Sequence, residues 1–207
     1  MVACVWTRVR FQCRCSASSR QSRSSSARES PVWCLTIRAV SGSIVQINIS
    51  KGGVPKLPIL EARVTRLGIV GDDHAHPEIH GGPKKALLWI CEESIEELKA
   101  LGLPLFAGAL GENLTTRGVD RRSLRLGQRW RIGEIVIELT RVRTPCQTIQ
   151  VYGAGVANAV YDQDVKAGDW SSPRWGLSGF YASVVQPGSI RVGDEVAPLD
   201  TVLDPVV

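Results

Sequence analysis

One thiol in this chain stands where its ionised form is favoured. Cys146 lies in Arg141-Val142-Arg143-Thr144-Pro145-Cys146-Gln147-Thr148-Ile149, directly behind a proline and close to two arginines and two threonines. A nearby fixed cation lowers the pKa of a thiol, and the thiolate is the form that attacks electrophiles or binds soft metals. The competing description is a small hydrophobe, because free cysteine is among the most buried side chains. The residues before it, Ile135 to Thr140, are β-branched and apolar at alternate positions. That pattern predicts a strand that carries the segment to a sheet edge and stops or bulges at Pro145, which cannot donate to a ladder.

Other residues able to do chemistry are spread along the chain. Lys51-Gly52-Gly53-Val54-Pro55-Lys56-Leu57-Pro58 reads as a loop, either a solvated turn or an anion-holding segment of the Gly-rich, Lys-bearing kind. All three histidines, His74, His76 and His80, fall in one window beside Asp72 and Asp73. Imidazole and carboxylate together could ligate a metal, but the spacing matches no helical His motif, and Pro77 with paired glycines rules out a regular helix. His80-Gly81-Gly82 followed by Lys85 suits an anionic ligand lying against the main chain, since glycine permits close approach or positive φ. Asn113, in the Gly-bounded turn Gly111-Glu112-Asn113-Leu114, can equally be capping its own backbone.

The elements that must position these residues are mostly short strands. Ser43–Ile49 alternates strictly and predicts a first strand, and Glu61–Val70 a second. Glu92–Gly102 is the clearest helix, with Ile95, Leu98 and Leu101 on one stripe, acids at its start and Gly102 at its end. Val156–Tyr161 predicts a short second helix. Leu124–Trp130 and Ile190–Val196 share a pattern of aliphatic, Arg, aliphatic, Gly, and read as two similar barrel corners. Gly179–Val185 and Ser189–Val192 flank a turn at Gln186-Pro187-Gly188 and predict a hairpin. Together these predict a mostly β fold with short helices, a barrel carrying helical insertions.

Composition sets the outer limits. The 207 residues suit one domain, with 43% hydrophobic and 22% charged residues, as in globular proteins. The longest apolar run, Ala86–Cys91, is too short to span a bilayer. Residues 1–39 hold seven arginines and one acid, whereas the remainder holds 18 basic and 19 acidic residues, so the net charge of +5 belongs to the leader. The body therefore offers no nucleic-acid surface. The Arg/Ser-rich leader reads as disordered, as a transit-like segment, or as an artefact of start-site choice, with the native first residue near position 40. Residues 40–200 form the domain and 201–207 a tail. Of six cysteines only Cys91 and Cys146 lie in the body. That is no disulfide framework, and it points to a reducing, cytoplasmic setting.

Val54-Pro55-Lys56, Gly71-Asp72, His80-Gly81-Gly82 with Lys85-Ala86, Gly111-Glu112-Asn113-Leu114, Arg143-Thr144-Pro145-Cys146, and Gly179-Phe180-Tyr181 with Val192-Gly193-Asp194 occur in that order. The set resembles the MOSC family, named for the C-terminus of molybdenum cofactor sulfurase, and looks closest to its stand-alone bacterial type. The resemblance implies a pyruvate-kinase-like β-barrel that binds the molybdenum cofactor (molybdopterin), with Cys146 as catalytic residue and molybdenum ligand. It places Lys56, His80, Gly81, Gly82, Lys85, Asn113, Arg143 and Thr144 around that cofactor. The chemistry of the residues agrees: a soft thiolate suits the metal, and Lys56, Lys85, Arg143 and the Gly81 and Gly82 amides suit the phosphate. Lys84 departs from the family, where many relatives have an acid, and His74 and His76 are outside its motifs.

Two functions from different classes follow. In one, the protein is an oxidoreductase that reduces N-hydroxylated small molecules, with electrons from a separate reductase. In the other, it is a sulfur carrier or transferase that receives sulfur from a donor as a Cys146 persulfide. No flavin, haem or iron–sulfur motif is present, and no resolving cysteine lies near Cys146 in sequence.

Overall fold

The structure, a computed structural model, describes residues 41–73 and 81–199. The leader, the tail and all three histidines lie outside the described residues, and with them the readings made of their roles. The strands are β1 Gly42–Ile49, β2 Leu57–Ile59, β3 Glu61–Thr65, β4 Gly68–Ile69, β5 Leu87–Cys91, β6 Leu114–Arg117, β7 Arg129–Ile132, β8 Ile135–Val142, β9 Phe180–Gln186, β10 Gly188–Arg191 and β11 Glu195–Pro198. Three α-helices accompany them: α1 Glu92–Ala100, α2 Val156–Val160 and α3 Gln163–Ala167.

Seven strands close a barrel in the order β11-β7-β8-β9-β5-β6-β1, with β1 pairing back onto β11 through Gly42 opposite Val196 and Ser43 opposite Glu195. All these pairings are antiparallel except β5 with β6, which run parallel with α1 as the crossover between them. That agrees with the rule that parallel neighbours need a long connection. β2 hangs on the outside of β1, and β10, β3 and β4 form a separate three-stranded sheet.

Local apolar pattern explains the strands that were foreseen. β8 buries Ile135, Ile137 and Leu139 in alternation, whereas β1 buries Ile44 and Ile47, three residues apart, because a register shift between Ile44 and Gln46 breaks its expected alternation. The expected second strand is broken in two, because the chain turns at Arg66 and Leu67 with Thr65 Oγ1 accepting the Leu67 amide. The expected late hairpin is corrected. β9 and β10 both form, but β9 pairs with β5 and β8 while β10 pairs with β3. Pro187 interrupts the ladder, and the chain crosses from barrel to small sheet there. The two similar corners lead, after Gly127 and Gly193 at positive φ, into β7 and β11, which pair with each other.

The barrel core centres on Trp89, Leu87, Leu114, Ile132 and Phe180, with Trp89 and Trp130 packed edge to face at 5.3 Å between ring centroids. A second apolar cluster, Ile95 and Leu98 of α1 with Leu105, Leu110, Ile149 and Leu177, lies beside the cysteine-bearing turn, and Cys146 packs against its rim. Among the described residues no helix is long and apolar enough to cross a membrane.

Candidate functional site

β8 delivers the cysteine segment as its composition predicts. The strand ends at Val142, and the next backbone is clamped on both sides by the stretch before β9: the Arg143 amide donates to the Gly179 carbonyl at 2.9 Å, and Ser178 Oγ donates to the Arg143 carbonyl at 2.6 Å. Past Pro145 the chain enters a 3-10 turn, Gln147–Tyr152, with Cys146 at the position just before it. The turn aims the Thr148 hydroxyl and the amides of Thr148 and Ile149 at the sulfur. From the other side, Arg143 Nη2 donates to Sγ at 3.8 Å.

These contacts decide the state of the thiol. Burial opposes ionisation of the half-buried Cys146, but the Thr148 hydroxyl, the Arg143 guanidinium and the two amides outweigh it and hold the thiol below its ordinary value. Cys91 shows the opposite balance, since burial pushes its thiol up to about 12.

Cys146 opens on a cleft lined by Val54, Lys56, Lys85, Asn113, Arg143 and Tyr181, among others. The cleft has an empty volume of about 620 Å³ that includes its open mouth. A guest would therefore sit partly in solvent. Its wall mixes three cations and one carboxylate, Asp73, with apolar surface from Val54, Leu88 and Leu110.

The structure brings five of the foreseen residues together here: Cys146, Arg143, Lys56, Lys85 and Asn113. Thr144 is exposed and is not part of the lining, and neither are Gly81 and Gly82. Both glycines do take positive φ, 97° and 82°, which suits them for close backbone approach. Lys56 is buried in an ion pair with Asp72. Burial pulls its pKa down, against the attraction of Asp72 and Glu112. Asp72 also accepts the Ser50 amide at 2.9 Å and Asn113 Nδ2 at 2.8 Å. Asn113 in turn accepts the Leu88 amide at 3.1 Å and donates to the Asn48 carbonyl at 3.3 Å. Its side chain ties β1 to β5 under the cleft.

Three functional neighbours have no role assigned from the sequence, and a fourth, Asp72, is read there only as a candidate metal ligand. Thr148 holds the sulfur in place of Thr144, a choice made by the 3-10 turn. Tyr181 lines the cleft with its phenol on Arg143 and Lys85 Nζ 5.8 Å from its ring centroid. Burial keeps that phenol protonated, against the pull of Arg143. Asp72 neutralises Lys56, and Glu112 is fully buried behind the cleft. The last three sit inside motifs already quoted, Gly71-Asp72, Gly111-Glu112-Asn113 and Gly179-Phe180-Tyr181, which was the available signal.

A small closed barrel with a low-pKa thiol at a cationic cleft is the class of protein defined here. The MOSC domain model matches residues 76–197, and the chain belongs to the MOSC family. It is 29% identical over 150 residues to Protein YiiM of Escherichia coli K12, covering 69% of this chain and 59% of that protein. It is 30% identical over 146 residues to the uncharacterized protein YflK of Bacillus subtilis, covering 68% and 60%. The chain thus matches about three fifths of the length of these curated relatives. Its fold is shared with YiiM from Geobacillus stearothermophilus, at TM-score 0.58 and 24% identity over 77% of this chain and 75% of that one. It is shared also with the YuaD protein of Bacillus subtilis, at 0.57 and 17% over 77% and 96%.

Proposed function

We propose that this MOSC protein binds the molybdenum cofactor through Cys146 and reduces N-hydroxylated small molecules, with electrons supplied by a separate reductase. The observation that carries this reading is a half-exposed thiol held below its ordinary pKa by Thr148 and Arg143 at the edge of a cationic cleft.

The donor set suits the group. Cys146 is the soft ligand a high-valent metal needs, and Arg143 and Lys85 stand where a phosphate-bearing guest would be met. When bound, the cofactor supplies a two-electron redox centre able to accept oxygen from the substrate. The chain's own residues do the rest. Arg143 stabilises negative charge on the sulfur, Lys56 and Asp72 form a neutral, rigid floor, and the Tyr181 phenol is a donor facing the cleft. The apolar wall of Val54, Leu88 and Leu110 offers contact to the organic part of a substrate. The balanced change is R–NHOH plus two electrons and two protons giving R–NH2 plus water.

The same thiol favours a second reading, in which it carries a persulfide. Among the described residues the one other cysteine, Cys91, is buried and inert, so sulfur would have to leave directly to an acceptor without a resolving thiol.

The test is purification from a host that makes the cofactor, followed by elemental analysis and fluorescence of the oxidised pterin. Stoichiometric molybdenum that is lost in Cys146→Ser is the expected result. Cyanide-labile sulfur on Cys146 without molybdenum would establish the carrier instead, and finding neither would overturn both.

A further inference from the structure

Three polar atoms behind the cleft are sealed from solvent and have no hydrogen-bonding partner: Glu112 Oε2, Arg143 Nη1 and the Tyr152 hydroxyl. Glu112 couples them electrostatically. Glu112 is completely buried and Arg143 is 3% exposed, and Glu112 interacts electrostatically with both the Arg143 guanidinium and the Tyr152 phenol. The other Glu112 oxygen is already engaged, accepting the Gly108 amide at 2.5 Å and Thr115 Oγ1 at 3.2 Å. Phe106, two residues before Gly108, meets the Tyr152 ring edge-on at 5.8 Å.

An orphaned buried polar atom is costly, and three so coupled ask for a shared partner. The set holds a guanidinium donor, a phenol that gives or accepts, and a carboxyl oxygen. An internal water requires two to four such groups. We propose that Glu112 is a positioning residue for Cys146: through a water shared with Tyr152 it anchors the inner nitrogen of Arg143 and so keeps the outer one, Nη2, on the sulfur.

The rigid fork of arginine makes this effective, because fixing one nitrogen of the planar group fixes the direction of the others. The groups facing Glu112 are Arg143, Tyr152 and Lys56. Burial pushes the Glu112 carboxyl up, against its hydrogen bonds and the Arg143 charge, and favours its neutral form. Contact through a water, in place of a direct ion pair, leaves the Arg143 charge to face the thiol and a cleft guest. The device needs no molybdenum and serves a thiol that binds metal or one that carries sulfur. Its failure would leave either function standing.

The first test is a crystal structure of the full chain. An ordered water within hydrogen-bonding distance of Glu112 Oε2 and Arg143 Nη1 is expected; a direct Glu112–Arg143 pair, or no shared water, overturns the proposal. The second reads the rate of Cys146 alkylation by iodoacetamide at neutral pH by peptide mapping. Glu112→Gln keeps an acceptor for Gly108 and a donor for the water, and should stay within about threefold of the parent, while Glu112→Ala should slow the reaction about tenfold, a change equal to one unit of thiol pKa. Unlabelled Cys91 reports that each variant is folded. Equal rates in the parent and folded Glu112→Ala overturn the idea. If Glu112→Ala does not fold, Tyr152→Phe replaces it, since it removes one partner of the water and leaves the Gly108 bond intact. A rate lowered about threefold is then expected, and an unchanged rate overturns the idea.

Discussion

Cys91 and Cys146 are the same chemical group in two settings, and the settings differ by what surrounds the sulfur. Iodoacetamide at neutral pH should label Cys146 and leave Cys91 untouched until the protein unfolds, and the Cys146 rate should climb with pH at values below those of a free thiol, because burial is outweighed there by Thr148 and Arg143. Peptide mapping across a pH series checks both statements. Equal labelling of the two would contradict them. The thiol and its cation were legible in the sequence because Arg143 and Cys146 are three residues apart, and no distant contact is needed to bring them together. The identity of the second partner was not. Thr144 and Thr148 flank the cysteine almost symmetrically, and only the 3-10 turn decides that the later one faces the sulfur. Lys56 shows a different limit. Its type and its loop pointed to an anion, but the anion it meets is Asp72 of the same chain, sixteen residues away.

Strands and helices with a clear period were readable as units, since the β-branched run of β1, alternation in β8 and the apolar stripe of α1 need only local sequence. Pairing was not readable, because it is settled by which edges are free when the barrel closes. β9 and β10 follow each other across Pro187 and still join different sheets. The five-residue α3 also escaped notice, being too short to show a stripe. Its start is set by Asp162, whose carboxylate accepts the Val165 amide at 2.8 Å and meets Arg174 at 3.0 Å. The Val165 amide, helped by Arg174 and Ser172, holds the Asp162 carboxyl below its usual range against the opposing effect of burial. A depressed folded-state pKa gives stability that is present above the unfolded value and lost as pH falls through the folded one. Asp162→Ala should therefore lower stability by about 1 kcal/mol at neutral pH. The deficit should shrink toward about pH 2–3, below the ordinary aspartate range. Urea unfolding at the two pH values measures it, and a deficit independent of pH would rule out the cap as its cause.

At the scale of the molecule, the fold depends on a ring that closes between its first and last strands around one large side chain. Trp89 is completely buried, packs on Trp130, and donates its Nε1 hydrogen to Thr116 Oγ1 at 2.6 Å. Trp89→Ala should cost about 3–5 kcal/mol in denaturant unfolding. A loss under about 1 kcal/mol would show that the ring does not rest on this residue. Closure itself was legible only as a class, from many short strands with two matching corners. Which strand meets which is fixed by partners up to about 150 residues apart in sequence, such as Ser43 and Glu195. The cleft inherits that dispersal, for its walls are drawn from residues between Gly53 and Tyr181. No short piece of the chain can assemble them ahead of the rest, and slow, non-local assembly is the kinetic signature of such topologies. The finished cleft is thereby a late event of folding: its walls should come together only when the first and last strands of the barrel have met.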